Sequence, residues 1–338
     1  MTRTILVTGG TGYIGSHTAV RLAERGHDVV IVDNLSNSSE RVVDVVSDLG
    51  GRTVQFEQVD LCDRAALAGV FDRHPIEAVI HFAGLKAVGE SMAEPLRYYR
   101  TNLTSTMNLL DEMHTHDVRQ LVFSSSATVY GDPEVLPIKE SARTGPTNPY
   151  GRTKLMIEDI CRDVANSGSG WEIALLRYFN PIGAHESGRI GEDPRGIPNN
   201  LVPFVMQVAV GRRPQLQVFG NDWDTPDGTG VRDYIHVVDL ADGHLAALDH
   251  LPEGCDVFNL GTGTGASVFD IIKTTENVTG QPIPYEVVDR RPGDIAESLA
   301  DPSKANTDLD WRADHNLDVM VTDAWRWQST NPEGYGEG

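Results

Sequence analysis

Through the first 180 residues short apolar runs alternate with amphipathic stretches, and few folds accommodate that alternation. The runs at 5–8, 29–32, 54–56, 78–82, 121–124 and 173–176 are mostly Val, Ile, Leu and Phe, a composition that suits extended backbone. Between them, helical patterns occupy about 14–25, 39–49, 63–73, 94–115 and 149–166. Near-continuous apolar strands separated by helices predict a parallel sheet covered on both faces, with right-handed crossovers. The expected fold class is therefore α/β, a doubly wound Rossmann-type sheet.

The texture changes after residue 180. Residues 183–200 are rich in Gly, Pro, Asn and Asp and read as a long irregular segment, which inside a compact domain is usually functional. Short strands are expected at 216–219 and 285–288. The stretch 233–248 followed by 257–260 reads as a helix and then a buried strand that returns to the first sheet. The expected division is a dinucleotide-binding domain of 1–180 plus about 233–262, and a smaller α/β substrate-binding domain of about 181–232 plus 263–338. Residues 332–338 read as a loose tail.

Charge narrows the partners. With 28 Lys plus Arg against 49 Asp plus Glu, the chain carries a net −21 and repels nucleic acid and anionic membranes. A phosphate-bearing substrate would need a few specific cations. The cysteines Cys62, Cys161 and Cys255 are widely spaced and form no CxxC pair, so a reducing cytoplasm is expected. The first residues read as a strand and not as a signal peptide, and no apolar run approaches the roughly 18 residues of a membrane span. No HExxH or Cys/His cluster occurs, so no metal is expected.

A glycine-rich turn follows the first strand. Gly10, Gly12 and Gly15 satisfy GxGxxG, while Gly9, Gly12 and Gly15 satisfy GxxGxxG. Such glycines allow a tight turn, close backbone approach to a pyrophosphate and helix–strand packing, and the helix N-terminus presents free N–H groups to the phosphates. Asp33 ends the second strand 18 residues past Gly15, near the roughly 20 expected of a ribose-hydroxyl acceptor. Residues 34–40 contain no Arg or Lys for a 2′-phosphate, which favours NAD over NADP. A second glycine cluster at 261–265 lacks this spacing and reads as a turn before a helix capped near Ser267.

Tyr150 and Lys154 stand four residues apart on a helix opening after Pro149, so they share one face. To act as a base near neutrality a phenol must lose about 3 pH units of its usual value, or roughly 4 kcal/mol. One cation at about 4 Å supplies some 4 kcal/mol at an effective dielectric of 20. Lys154, together with a positively charged nicotinamide, could therefore make Tyr150 a general base. A serine cluster at 124–126 ends the preceding strand, where open α/β sheets bind ligand.

Through the glycine turn, Asp33, the Ser126 region and the Tyr150/Lys154 pair, the chain resembles the extended short-chain dehydrogenase/reductase family. Blocks at 81–91, 176–181, 196–201 and 228–237 are similar to its nucleotide-sugar 4-epimerases, and the resemblance runs from about Ile5 to Tyr335. It implies interconversion of UDP-glucose and UDP-galactose through a 4-keto sugar, with catalytic Tyr150, Lys154 and Ser126 and retained NAD. It assigns Tyr13, Ile14, Asn34, Leu35, Ser36, Asn37, Ser38, Asp60, Leu61, Phe82, Ala83, Gly84, Leu85, Lys86 and Phe179 to cofactor contacts beside the residues above. Asn180, Asn199, Asn200, Leu201, Gln217, Val218, Phe219, Arg232, Arg291 and Asp294 would hold UDP, while Lys86, Ser126, Ala127, Thr128, Tyr150 and Ser298 would border the sugar. It also implies a homodimer paired through the helices near 94–115 and 149–166.

Single residues keep plainer readings as well. Asp60 could cap the next helix, Lys86 could be a surface lysine, and His17 and His81 read as packed histidines. Two departures stand out: Thr101 at a usual Asn, and Ser298 where some relatives carry Tyr, which would leave room for a 2-acetamido group and hence for N-acetylated UDP-sugars. A 4,6-dehydratase needs an Asp-Glu pair where this chain has Ala127 and Thr128, and a non-enzymatic NAD-binding regulator has no use for Tyr150 with Lys154.

Overall fold

The computed structural model describes residues 2–336 apart from Ser169, Pro194, Arg195, Ile197, Asn199 and Pro292. The chain runs through β1 (Thr4–Thr8), α1 (Tyr13–Glu24), β2 (Asp28–Asp33), α2 (Arg41–Leu49), β3 (Gln55–Gln58), α3 (Arg64–Arg73), β4 (Ala78–His81), α4 (Val88–Ala93), α5 (Pro95–Thr115), β5 (Gln120–Ser124), a 3-10 turn (Ala127–Val129) and α6 (Pro149–Asn166). Strand and helix alternate as expected, with α4 the one unforeseen helix. The remainder is β6 (Glu172–Tyr178), β7 (Asn180–Ile182), α7 (Leu201–Ala209), β8 (Leu216–Phe219), β9 (Val231–His236), α8 (Val237–Asp249), β10 (Gly254–Leu260), β11 (Gly265–Ser267), α9 (Val268–Thr279), β12 (Tyr285–Val288), β13 (Glu297–Ser298), α10 (Ser303–Asp308) and α11 (Leu317–Thr330).

Seven parallel strands form the main sheet in the order β10-β6-β5-β4-β1-β2-β3. Alternate side chains feed two cores. Ile5, Val7, Ile31 and Ile80 pack with α1, α2 and α8, whereas Leu6, Val30, Val32 and Val79 pack with α3, α5 and α6. All four residues of β4 are buried, as a central strand covered on both sides requires. The strand order reverses between β1 and β4, so the loops after those strands diverge and open a crevice at the carboxyl edge. His81 fills the sheet there between the hydroxyls of Thr8 (2.6 Å) and Thr106 (2.9 Å), and is a satisfied core histidine.

Two smaller sheets stand beside this edge. One has the order β11-β9-β13 with β7 also on β9, the other pairs β8 with β12, and α7, α9 and α11 share a core with them. The α9 helix begins as expected at Ser267, closed by a reciprocal cap with Asp270.

Two expectations need correction. The stretch from residue 233 does not begin as a helix: 233–236 belongs to β9, and α8 starts at Val237. Buried Asp233 accepts hydrogen bonds from Thr262 N (2.8 Å), Thr262 Oγ1 (2.8 Å), Gly263 N (2.9 Å) and Ala300 N (3.1 Å). Satisfying those amides fixes it in extended backbone, where helical periodicity has no say. The expected loose tail is tied down as well. Tyr335 lies 4.7 Å from the Trp327 ring, its N–H donates to Asp193 (2.9 Å), and its carbonyl accepts from Arg41 (2.6 Å).

Candidate active site

Four loops meet at the carboxyl edge of β1 to β4. Gly9 turns the first with φ +69°, and a Cβ there would stand 2.8 Å from Ala83 N. A Cβ at Gly15 would collide with Gly9 O, so helix and turn approach as closely as backbone allows. The α1 helix starts behind Gly12 with no side-chain cap and no acidic residue in its first turn. That is a cradle for a pyrophosphate. Asp33 joins the first loop to the second: it accepts from Thr11 N (3.3 Å), Leu35 N (2.9 Å) and Ser38 Oγ (3.1 Å). A carboxylate offers about four acceptor positions, so capacity for a ribose hydroxyl remains. Leu35 holds a left-handed φ of 58°, a strained conformation for a γ-branched residue, of the kind found at ligand loops.

Asp60 does not cap α3. That role falls to Asp63, which accepts from Ala66 N (3.1 Å), while Asp60 accepts from Cys62 N (2.8 Å) and Asn34 Nδ2 (3.1 Å). Leu61 sits in the core beside it. Tyr13 donates to Gly183 O (2.7 Å), and Ile14 packs inward. In the fourth loop Phe82 lies 4.7 Å from His244. Asn102 holds Gly84–Leu85 in place: it accepts from Leu85 N (2.8 Å) and donates to Leu85 O (3.1 Å) and Thr153 Oγ1 (3.1 Å). With Thr101 in place of the usual Asn, the neighbouring Asn102 still joins this loop to α6.

The proton-transfer residues converge on the next strand. Asn148 caps α6 through Gly151 N (2.8 Å) with Pro149 in the first turn, which places Tyr150 at the helix mouth and Lys154 one turn below. Lys154 Nζ donates to Ser124 O (2.8 Å) and lies 6.0 Å from the Tyr150 ring centre. Thr128 donates to Ser126 Oγ through N (3.2 Å) and Oγ1 (2.9 Å). Tyr150 is 7% exposed. Burial pushes its phenol well above the ordinary value, while a hydrogen bond with Ser126 acts in the opposite direction. Burial likewise pushes the Lys154 ammonium down to about 8, against the pull of Glu158. Protein groups alone thus leave the phenol protonated at neutral pH, and a further positive charge is needed beside it.

The expected UDP contacts lie mainly in the smaller sheets, on α7 and in the loops joining them. Half-buried Arg232 donates to Val231 O (2.8 Å) and Ala296 O (3.3 Å) and forms no ion pair among the described residues. Arg291 pairs with Asp294 (2.9 Å) and lies 5.3 Å from the Phe219 ring, which is 37% exposed. Ser298 is the β13 neighbour of Arg232. Val218 and Leu201 turn their side chains toward the core of the smaller sheets, so they would offer backbone, and Gln217 is exposed. Asn180 opens β7, and Phe179 is buried in a small core against which Ala127 packs. Asn199 lies outside the described residues; Asn200 donates to Glu192 Oε1 (3.3 Å), which also pairs with Lys86 (3.4 Å).

Several members of the site escaped the sequence reading. Half-buried Tyr178 neighbours Tyr150 and faces Ser124. Its position at the end of β6 was the available signal. Ser124 works through its carbonyl, which no side-chain motif reveals, and Glu192 emerges from a stretch without periodicity.

Residues 5–261 match the family model described as NAD dependent epimerase/dehydratase family. The UDP-glucose 4-epimerase of Bacillus subtilis (strain 168) is 59% identical over 98% of both chains. That of Bos taurus is 56% identical over 99% of both. Among solved structures, UDP-glucose 4-epimerase from Bifidobacterium longum in complex with NAD+ and UDP superposes with a TM-score of 0.96 at 54% identity, covering 98% of this chain and 100% of that one.

Proposed function

Because this chain belongs to the NAD dependent epimerase/dehydratase family, we propose that Tyr150, Lys154 and Ser126 carry the proton transfer of its reaction. The chain is an NAD-dependent isomerase that interconverts UDP-glucose and UDP-galactose through a 4-keto sugar. NAD, when bound, would supply the acceptor and donor of the hydride at sugar C4. The glycine cradle, Asp33 and the Asp60 loop would hold it. Tyr150 takes the proton of the 4-hydroxyl, Ser126 orients that hydroxyl, and Lys154 keeps the phenolate charged. Burial of Tyr150 keeps water from competing.

One observation carries the residue assignment: Tyr150 and Lys154 lie at the crevice edge with Ser124 and Ser126 against them. The test is conversion of UDP-galactose, read by coupled oxidation of the UDP-glucose formed. Tyr150→Phe should keep its bound NAD and lose about 100-fold or more in kcat. A Phe variant above one tenth of the parent would refute the assignment.

Finer points follow the same reading. Arg232, Arg291, Asp294, Phe219 and the residues from 199 to 201 bind UDP, and the small Ser298 admits N-acetylated UDP-sugars. Residues 1–180 plus about 233–262 serve NAD, and about 181–232 plus 263–338 serve the UDP-sugar. The molecule is a cytoplasmic homodimer. Val88, Met92, Leu96, Met107 and Met156, all at least 40% exposed on α4, α5 and α6, support that pairing. No helix among the described residues is long and apolar enough to cross a membrane.

A further inference from the structure

Tyr150, Lys154 and Glu158 lie at successive i, i+4 positions and so share one face of α6. That face meets the tripeptide 124–126 residue by residue. Lys154 Nζ donates to Ser124 O (2.8 Å), Ser125 Oγ donates to Glu158 Oε1 (2.6 Å), and the Ser126 hydroxyl stands against the Tyr150 phenol. Glu158 is fully buried, as are Ser125 and Arg177 to within 2%. Its carboxylate accepts a bidentate pair from Arg177 on β6, Nε at 2.9 Å and Nη2 at 2.6 Å, and a further bond from Arg162 Nη2 at 2.9 Å. Arg177 in turn lies 4.7 Å from the Tyr130 ring and donates to Glu140 O (3.3 Å). A rigid, fully paired charge cluster therefore ends on one serine hydroxyl, in the middle of the segment that presents Ser124 O and Ser126 Oγ.

Nothing in the proton transfer uses Ser125 or Glu158 directly. We infer that Glu158 is a positioning residue which, through Ser125, fixes the segment 124–126 against the helix face that bears the base. This rests on the assignment of Tyr150, Lys154 and Ser126 made above. Without the anchor the segment could pivot, moving the carbonyl that holds Lys154 and the hydroxyl that faces Tyr150 together. Displacement of a reacting group by about 1 Å can cost on the order of 100-fold in rate.

The charges around Lys154 give the idea a second readout. It is faced by His81 from β4, by the Phe123 ring (4.8 Å) and Ser124 O from β5, and by Tyr150 and Glu158 from its own helix, with Arg177 and Arg162 behind the carboxylate. Among these Glu158 favours the ammonium form. Replacing it by Gln leaves the Arg177 charge uncompensated, while Arg162 keeps Asp159 (2.9 Å), so Lys154 should lose its proton at lower pH and carry the alkaline limb of turnover down with it.

The test uses the NAD-loaded enzyme in the UDP-galactose assay, with Ser125→Ala, Glu158→Gln, Glu158→Asp and Tyr150→Phe side by side. Ser125→Ala removes the anchor while sparing the ion pairs, so it keeps the fold. Its kcat should fall fivefold or more with KM and bound NAD unchanged. Glu158→Gln should move the alkaline limb to lower pH, and Glu158→Asp should restore it toward the parent. A Ser125→Ala variant within fivefold of the parent overturns the inference, whether or not Glu158→Gln yields folded protein. So does a folded Glu158→Gln with an unmoved profile. If Tyr150→Phe stays active, the assignment of the base fails; if only Ser125→Ala behaves as parent, the positioning role alone fails.

Discussion

Replacing Lys154 by Met removes one buried charge and leaves the stem volume nearly filled. With Nζ at 6.0 Å from the Tyr150 ring centre, a unit charge at an effective dielectric of about 20 is worth roughly 2.8 kcal/mol to the phenolate. At about 1.36 kcal/mol per pH unit, that loss raises the phenol by about 2 units. Below its pKa the phenolate fraction falls tenfold per unit, so turnover at pH 7 should drop by about 100-fold and recover as pH rises. The parent should behave oppositely on the alkaline side, because burial has lowered Lys154 to about 8 and its charge fades above that pH. The variant has no such charge to lose and should show a rising profile alone. The assay is kcat against pH from 6 to 10 with NAD content fixed. The lost donor to Ser124 O should cost about 1–3 kcal/mol of stability, checked by Tm. A variant retaining more than one fifth of turnover at pH 7, or a profile parallel to the parent, would refute the charge argument.

Other outcomes follow from the expected UDP contacts and the exposed face. Arg232→Ala should weaken UDP binding by at least about tenfold in calorimetry while bound NAD is unchanged, because a charge-assisted bond to an anion is worth about 1.5–3 kcal/mol. Ser298→Tyr should depress kcat/KM for UDP-N-acetylglucosamine far more than for UDP-glucose. Parent activity on the acetylated pair below about one hundredth of the plain pair would defeat the spare-room argument, since an added clash in a pocket is worth about 10–200-fold. Leu96→Glu, at a position 65% exposed on α5, should shift light-scattering mass from two chains toward one, and an unchanged mass would refute dimer formation through this face.

Most of the framework could be read in advance, because parallel strands buried on both faces leave short, continuous apolar runs, and their regular alternation with amphipathic stretches identifies them. The residues 78–81 show it best, with β4 apolar up to a histidine satisfied by two threonine hydroxyls. The cradle was legible for a related reason: its glycines are there because backbone leaves no space for a Cβ. What escaped was set by contacts distant in sequence. Asp233 becomes strand because amides about 30 and 67 residues away need its carboxylate, and helical spacing in that stretch carries no trace of them. Ser124 and Glu192 enter the site through a carbonyl and a loop carboxylate, neither of which leaves a pattern, and Tyr178 showed only by its place at the end of β6.

The anchoring of Tyr335 has a consequence for how a local disturbance would spread. Asp193 receives the Tyr335 amide and Trp327 its ring, and Trp327 also donates to the Glu192 carbonyl (3.2 Å). The residue whose carboxylate meets Lys86 and Asn200 is thus held from 135 positions further along the chain. Loosening that distant contact would unsettle the loop while leaving the glycine turn intact.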